Sequence, residues 1–223
     1  MITATYIDHM GSDLSVVNAA RVSFGKKSDW LPRVHNGEAK ILPTKDCRLI
    51  AYLAKHKHIS PFGHAFASFH VKAPIFVARQ LVKHKFLRWN EISRRYVDDV
   101  PELYVPKVWR GRSADKKQGS DGVVKMYYND IAEIEETSDV VNELYYLLLD
   151  KGVAPEQARM VLPQSTMTEW YWSGSLDAFA DMCNLRCKED TQYETRLVAQ
   201  QIDRAMLELF PVSWDALTDN EGE

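Results

Sequence analysis

Between Lys83 and Tyr96 the chain reads KHKFLRWNEISRRY, with five Lys or Arg and one His set against a single acid, Glu91. The protein as a whole carries a net charge of -3, so this excess of cations is local. Guanidinium and ammonium groups make charge-assisted hydrogen bonds to phosphate. Asn90, Ser93 and the aromatic residues among them add polar and stacking contacts, a mixture suited to a phosphate-bearing ligand. Composition alone leaves a second reading open, a solvated basic helix end in which cations favour the negative pole of the helix dipole.

Other reactive residue types are arranged less suggestively. His56, His58 and His64 follow no common zinc spacing, and no cysteine or carboxylate lies near enough to complete a set, so no metal site is expected. Cys47, Cys183 and Cys187 lack the paired spacing of a zinc knuckle, and their odd number argues against a disulfide framework. Cys183 and Cys187 share a helix face and read as packing residues. The absence of a Gly-rich phosphate loop argues against a Rossmann flavoprotein or a P-loop kinase.

The elements that must position the basic segment follow from periodicity. Ile2 to Ile7 alternates as a strand, and Ser15 to Phe24 suits a short helix running into a polar loop broken by Gly and Pro. Thr44 is placed to cap a helix carrying Leu49, Ile50, Leu53 and Ala54, which stops near Ser60-Pro61. Ala65 to Ala73 alternates as a strand, and Pro74 then opens a helix with Ile75, Ala78, Leu81 and Val82 on one face, running into the basic segment. Gly111 to Gly122 is expected to be a mobile loop. A long helix follows from Tyr127 towards Gly152, another begins near Pro155, and a strand spans Gln164 to Trp172. In that strand Trp170-Tyr171-Trp172 alternates between core and rim. Helices over Ser175 to Arg186 and Thr191 to Leu209 complete the chain before a loose tail at 215–223. Strands and helices without regular alternation predict a single α+β (mixed α/β) domain over 1–223, with an antiparallel-rich central sheet flanked by helices.

With 223 residues, 45% hydrophobic and 26% charged, the chain is long enough to bury a proper core and has the composition of an ordinary soluble protein. The N-terminal MITATYIDHM lacks a basic stretch followed by an apolar run, and no stretch approaches the apolar length needed to span a bilayer. A cytoplasmic location is therefore expected, with no membrane partner. A weakly acidic surface does not suit generalised binding of nucleic acid, so any anion site must be confined.

In its spacing the basic segment resembles the signature of the flavin-dependent thymidylate synthases: Arg-His-Arg, two residues, Ser, one residue, Asn-Glu, one residue, Ser, one residue, Arg-Tyr. His84, Asn90, Glu91, Ser93, Arg95 and Tyr96 match in register. Further landmarks follow in the family's order: Arg21-Val22-Ser23-Phe24, His58, Ser60-Pro61-Phe62, HVKAPIFVARQ, ARMVLP, Asn184-Leu185-Arg186, and Gln192 with Glu194. Lys83 and Lys85 replace the two arginines, keeping charge but losing the bidentate fork. Arg88 replaces the first serine, adding bulk and charge beside the cofactor.

The resemblance implies methylation of dUMP to dTMP, with 5,10-methylenetetrahydrofolate as carbon donor, FAD reduced by NADPH as hydride carrier, and no cysteine nucleophile. It implies that Arg186 activates the uracil ring, because a fixed guanidinium stabilises charge developing on the ring carbonyls. By the same matching Gln80, Glu91, Ser93, Arg94, Arg95 and Arg159 would contact dUMP, the backbone near Arg94 serving there. Ser23, Ser60, Lys83, His84, Lys85, Glu91, Ser175 and Asp181 would hold FAD, and His58 would stack near the flavin and folate rings. A homotetramer with sites shared between subunits is implied as well. Two rival readings are a flavoenzyme acting on another pyrimidine nucleotide and a non-catalytic module using the basic segment to bind nucleic acid.

Overall fold

The computed structural model describes residues 1–31, 41–97, 99–114 and 119–218. Its strands are β1 (Thr3–Met10), β2 (Phe66–Pro74), β3 (Leu87–Glu91), β4 (Trp109–Arg112), β5 (Ser120–Val124) and β6 (Met167–Ser175). Its helices are α1 (Asp13–Arg21), α2 (Thr44–Lys55), α3 (Ile75–Leu81), α4 (Tyr128–Asp150), α5 (Pro155–Ala158), α6 (Leu176–Arg186), α7 (Tyr193–Leu209) and α8 (Pro211–Thr218).

Alternation in β2 and β6 decides which face of the sheet is buried. Ala67, Phe69, Val71 and Ala73 of β2 are buried, as are Trp170 and Trp172 of β6, while Tyr171 between them is 51% exposed. These strands pair antiparallel in the order β1-β2-β6-β3, with Phe69 opposite Trp172 and Val71 opposite Trp170. The apolar face packs against α3, α6 and α7. Phe179 of α6 meets Phe69 and Trp172 edge-on, with ring centroids 5.3 and 5.5 Å apart. Two buried acids tie the periphery to this core. Asp13 accepts from the backbone amides of Val212 (3.1 Å) and Ser213 (2.8 Å), capping α8, and Asp46 pairs with Arg21.

The antiparallel sheet and flanking helices agree with the expected α+β class. The second reading of the basic segment, a helix end, is not what forms: α3 stops at Leu81, a turn follows, and Leu87–Glu91 becomes the edge strand β3 on β6. Leu87 and Trp89 turn to the core, and Trp89 stacks on Trp170 at 4.3 Å, a cross-strand gain invisible in a stretch dominated by charge. Within 111–122, expected as a mobile loop, 111–112 and 120–122 belong to the antiparallel strands β4 and β5; 115–118 lie outside the described residues. The expected loose tail at 215–223 begins too early, since α8 runs to Thr218 with Leu217 buried; 219–223 lie outside the described residues. No described helix is long and apolar enough to cross a membrane.

Candidate functional site

Arg186 lies in the last turn of α6, and His84 lies in the turn between α3 and β3. That turn closes through Phe86, whose φ of 63° is left-handed, a conformation costing a non-glycine residue about 1–2 kcal/mol. The result is a contact across 102 residues: Arg186 Nε donates to His84 Nε2 at 3.0 Å. The imidazole must therefore be neutral, with its proton on Nδ1. Burial first, and the Arg186 charge second, push His84 down to about 4 from its ordinary 6.5. Burial also lowers Arg186 from its usual range. Arg186 also lines a cavity of about 570 Å³, together with Gln80, Lys188, Thr191 and Gln192. Gln80 reaches this cavity from α3, its amide donating to Gln192 Oε1 and accepting from Thr195 Oγ1 at 3.3 Å.

A second group gathers around the 3₁₀ turns after α1 and α2. Ser23, His58 and Ser60 line a cavity of about 770 Å³ together with the exposed cations Lys26, Lys45 and Arg48. The His58 ring lies nearly parallel to Tyr52, at 6.0 Å and 27°.

A third group follows β3. Thr168 Oγ1 donates to Glu91 at 2.7 Å, and Trp89 Nε1 donates to its other oxygen at 3.0 Å, so this carboxylate is oriented by the sheet. Ser93 Oγ accepts from the Arg95 amide at 3.3 Å, and Arg95 itself is exposed. The Arg94 side chain is turned away to Asp99, contacting its carboxylate at 3.0 Å and its carbonyl at 2.7 Å.

The remaining expected residues are dispersed. Ser175 caps α6 and shares a cavity of about 540 Å³ with Phe86, Asp177 and Arg88, which places the unusual Arg88 beside an expected flavin contact. Asp181 lies one turn beyond Asp177; burial first and the Asp177 charge second raise its carboxyl above the usual range. Lys83 and Lys85 are exposed on either side of His84. Arg159 is exposed on the 3₁₀ turn after α5, its Nε donating to the Glu156 carbonyl at 3.3 Å.

One chain thus assembles Gln80, His84 and Arg186, while Arg95 and Arg159 are exposed and do not line that cavity. Two features escaped sequence reasoning. Arg110 of β4 pairs with the buried Glu194 of α7, a link carried by a stretch that borders apparent loop. Ligating atoms of Cys183, Cys187 and Asp203 lie within 4.8 Å of one another. Cys183 holds the Cys187 thiol below its usual range by a hydrogen bond, yet Cys187 is turned towards α7 and is absent from the lining of the Arg186 cavity.

An antiparallel α+β fold in which a half-buried arginine and Lys188 line one polar cavity suits an enzyme that handles anionic ligands. Its family is shown by comparison. The family described as Thymidylate synthase complementing protein matches residues 5–212. A flavin-dependent thymidylate synthase of Kosmotoga olearia is 40% identical over 214 residues, covering 94% of this chain and 87% of the relative. One of Thermus thermophilus is 37% identical over 214 residues, covering 96% and 74%. Among solved structures, a UMP/dUMP methylase, PolB from Streptomyces cacaoi, bound with 5-Br dUMP, superposes with a TM-score of 0.83 at 33% identity, covering 98% of this chain and 95% of that one. The chain belongs to the flavin-dependent thymidylate synthase family and is an enzyme of that family.

Proposed function

We propose that this enzyme converts dUMP, 5,10-methylenetetrahydrofolate, NADPH and a proton into dTMP, tetrahydrofolate and NADP⁺, with FAD as the hydride carrier. The observation that carries this reading is Arg186, half-buried, held through Nε by a neutral His84 and lining a cavity that Gln80 also lines. Carbon–carbon bond formation at uracil C5 loads negative charge onto the ring carbonyls. A desolvated, pre-oriented guanidinium stabilises that charge more than a hydrated one. Gln80 adds an amide against the ring, and its bonds to Gln192 and Thr195 keep it from rotating. Arg95 and Arg159, exposed in one chain, are proposed to take the nucleotide phosphate.

The residues present suit a flavin dinucleotide. Lys26, Lys45 and Arg48 supply cations around the cavity of Ser23, His58 and Ser60, a donor set matched to a pyrophosphate. Lys83 and Lys85 add two more beside His84. The bound flavin, reduced by NADPH, supplies the hydride that completes the methyl group. No thiolate addition to the uracil is proposed, because neither Cys183 nor Cys187 lines the Arg186 cavity.

Because these groups are dispersed in one chain, we infer a homotetramer in which neighbouring subunits complete each site. The exposed apolar residues of α4, among them Val140, Leu144 and Leu147, are the surface proposed for contact. Incubating the purified protein with dUMP, methylenetetrahydrofolate, FAD and NADPH should yield dTMP, detected by chromatography. A colourless protein that takes up no FAD and forms no dTMP overturns the reading. UMP offered in parallel tests the other pyrimidine nucleotide, since the PolB neighbour is also known bound with 5-Br UMP.

A further inference from the structure

The cavity of Gln80 and Arg186 adjoins a second one of about 490 Å³, walled by Phe76, Tyr104 and Trp109, with Arg110 and Glu194 at its polar end. The two share Gly119 and Gln192. Gln192 is the N-cap of α7, so the first turn of that helix, Tyr193-Glu194-Thr195, stands between them. Among the described residues, both side-chain hydrogen bonds of Gln80 come from the start of α7: Gln192 accepts from its amide and Thr195 donates to it.

The turn is braced from the hairpin. Arg110 Nη2 lies 3.1 Å from both carboxylate oxygens of Glu194, its Nε donates to Ser120 Oγ at 2.7 Å, and its guanidinium stacks 4.4 Å from the Tyr193 ring centroid. The Glu194 side chain is only 7% exposed, and an unpaired charge so deep would be costly, which keeps the pair closed. The Tyr104 phenol also bonds to this carboxylate; burial first and the Glu194 charge second raise it above its usual range. At the other end of the hairpin Gly119 has φ +86°, and a Cβ there would come within 2.8 Å of the Asp190 carbonyl. Only glycine permits that approach. The hairpin therefore grips the α6–α7 connection at two points, one on each side of Gln192.

We propose that Arg110 and Glu194 are positioning residues for nucleotide binding: their ion pair fixes the first turn of α7, and through Gln192 and Thr195 it holds the Gln80 amide against the ligand cavity. The assignment rests on the reading of that cavity as the dUMP site. Neither residue needs to touch the substrate. Small displacements of a binding group cost much in affinity because hydrogen bonds are short-ranged and directional.

The test is dUMP binding and steady-state kinetics on the FAD-loaded enzyme. Arg110→Ala should weaken dUMP binding and raise its KM on the order of 10- to 100-fold, leaving flavin absorption unchanged. Arg110→Lys should recover little, since lysine restores the charge without the planar group that stacks on Tyr193. Glu194→Gln should reproduce the defect and add little to it when combined with Arg110→Ala, and it serves alone if the alanine variant does not fold. dUMP affinity in Arg110→Ala within about twofold of wild type, or a loss of flavin parallel to the loss of dUMP, overturns the assignment. Wild-type enzyme that binds no dUMP overturns the functional reading instead.

Discussion

Arg186 and His84 form a pair in which each sets the other's chemistry. A neutral imidazole accepts from Nε, and the cation beside it helps to keep that imidazole neutral. Arg186→Ala should therefore leave FAD bound, read from its visible absorption, while lowering dTMP formation by about 10²–10³-fold, the usual cost of one electrostatic donor. Wild-type turnover in that variant would remove Arg186 from the chemistry. The pair also imposes a pH dependence on folding. Above pH 6.5 His84 is neutral both folded and unfolded, and its contribution is whole. As pH falls from 6.5 to about 4 the unfolded chain takes up the proton first, so stability declines across that window. Urea midpoints measured from pH 7 to pH 4 should fall, and His84→Gln should flatten that slope.

At the scale of elements, the edge strand β3 is the part on which both halves of the motif depend, with His84 before it and Glu91 to Arg95 after it. It is held by the Trp89–Trp170 stack and by a close approach at Gly174, where an added Cβ would meet Leu87 Cδ2 at 2.4 Å and the Phe86 carbonyl at 3.0 Å. Gly174→Ala should push β3 outward and cost about 1–3 kcal/mol, the range for overpacking. Urea denaturation would measure it, and an unchanged midpoint would show that the strand shifts freely. Periodicity did not reveal β3 because its two core-facing side chains, Leu87 and Trp89, are too few to establish a period of two among so many cations.

For the whole molecule, α4 is 23 residues long and buries only Tyr145 among its described side chains. A groove of about 860 Å³ runs along it past Met126, Ile134 and Val141. A helix with this much open apolar surface suits burial against another copy. The proposed tetramer with shared sites predicts that Leu144→Glu combined with Leu147→Glu shifts the protein to smaller species by light scattering, with turnover falling in step. Full activity from a monomer would refute shared sites.

The amino-acid sequence by itself determined what local spacing can encode: alternation in β2 and β6, the Pro74 helix start, the α+β class and the register of the basic motif. Those signals lie within a few residues of one another, so one chain segment carries each of them whole. Tertiary structure alone decided that Arg186 meets His84 across 102 residues and that Arg110 meets Glu194 across 84. It also decided that Arg186 lines the Gln80 cavity while Arg95 and Arg159 do not. Contacts of that range depend on how sheet and helices pack, and periodicity, which reports only which face of an element is apolar, is silent about which partner the packing delivers.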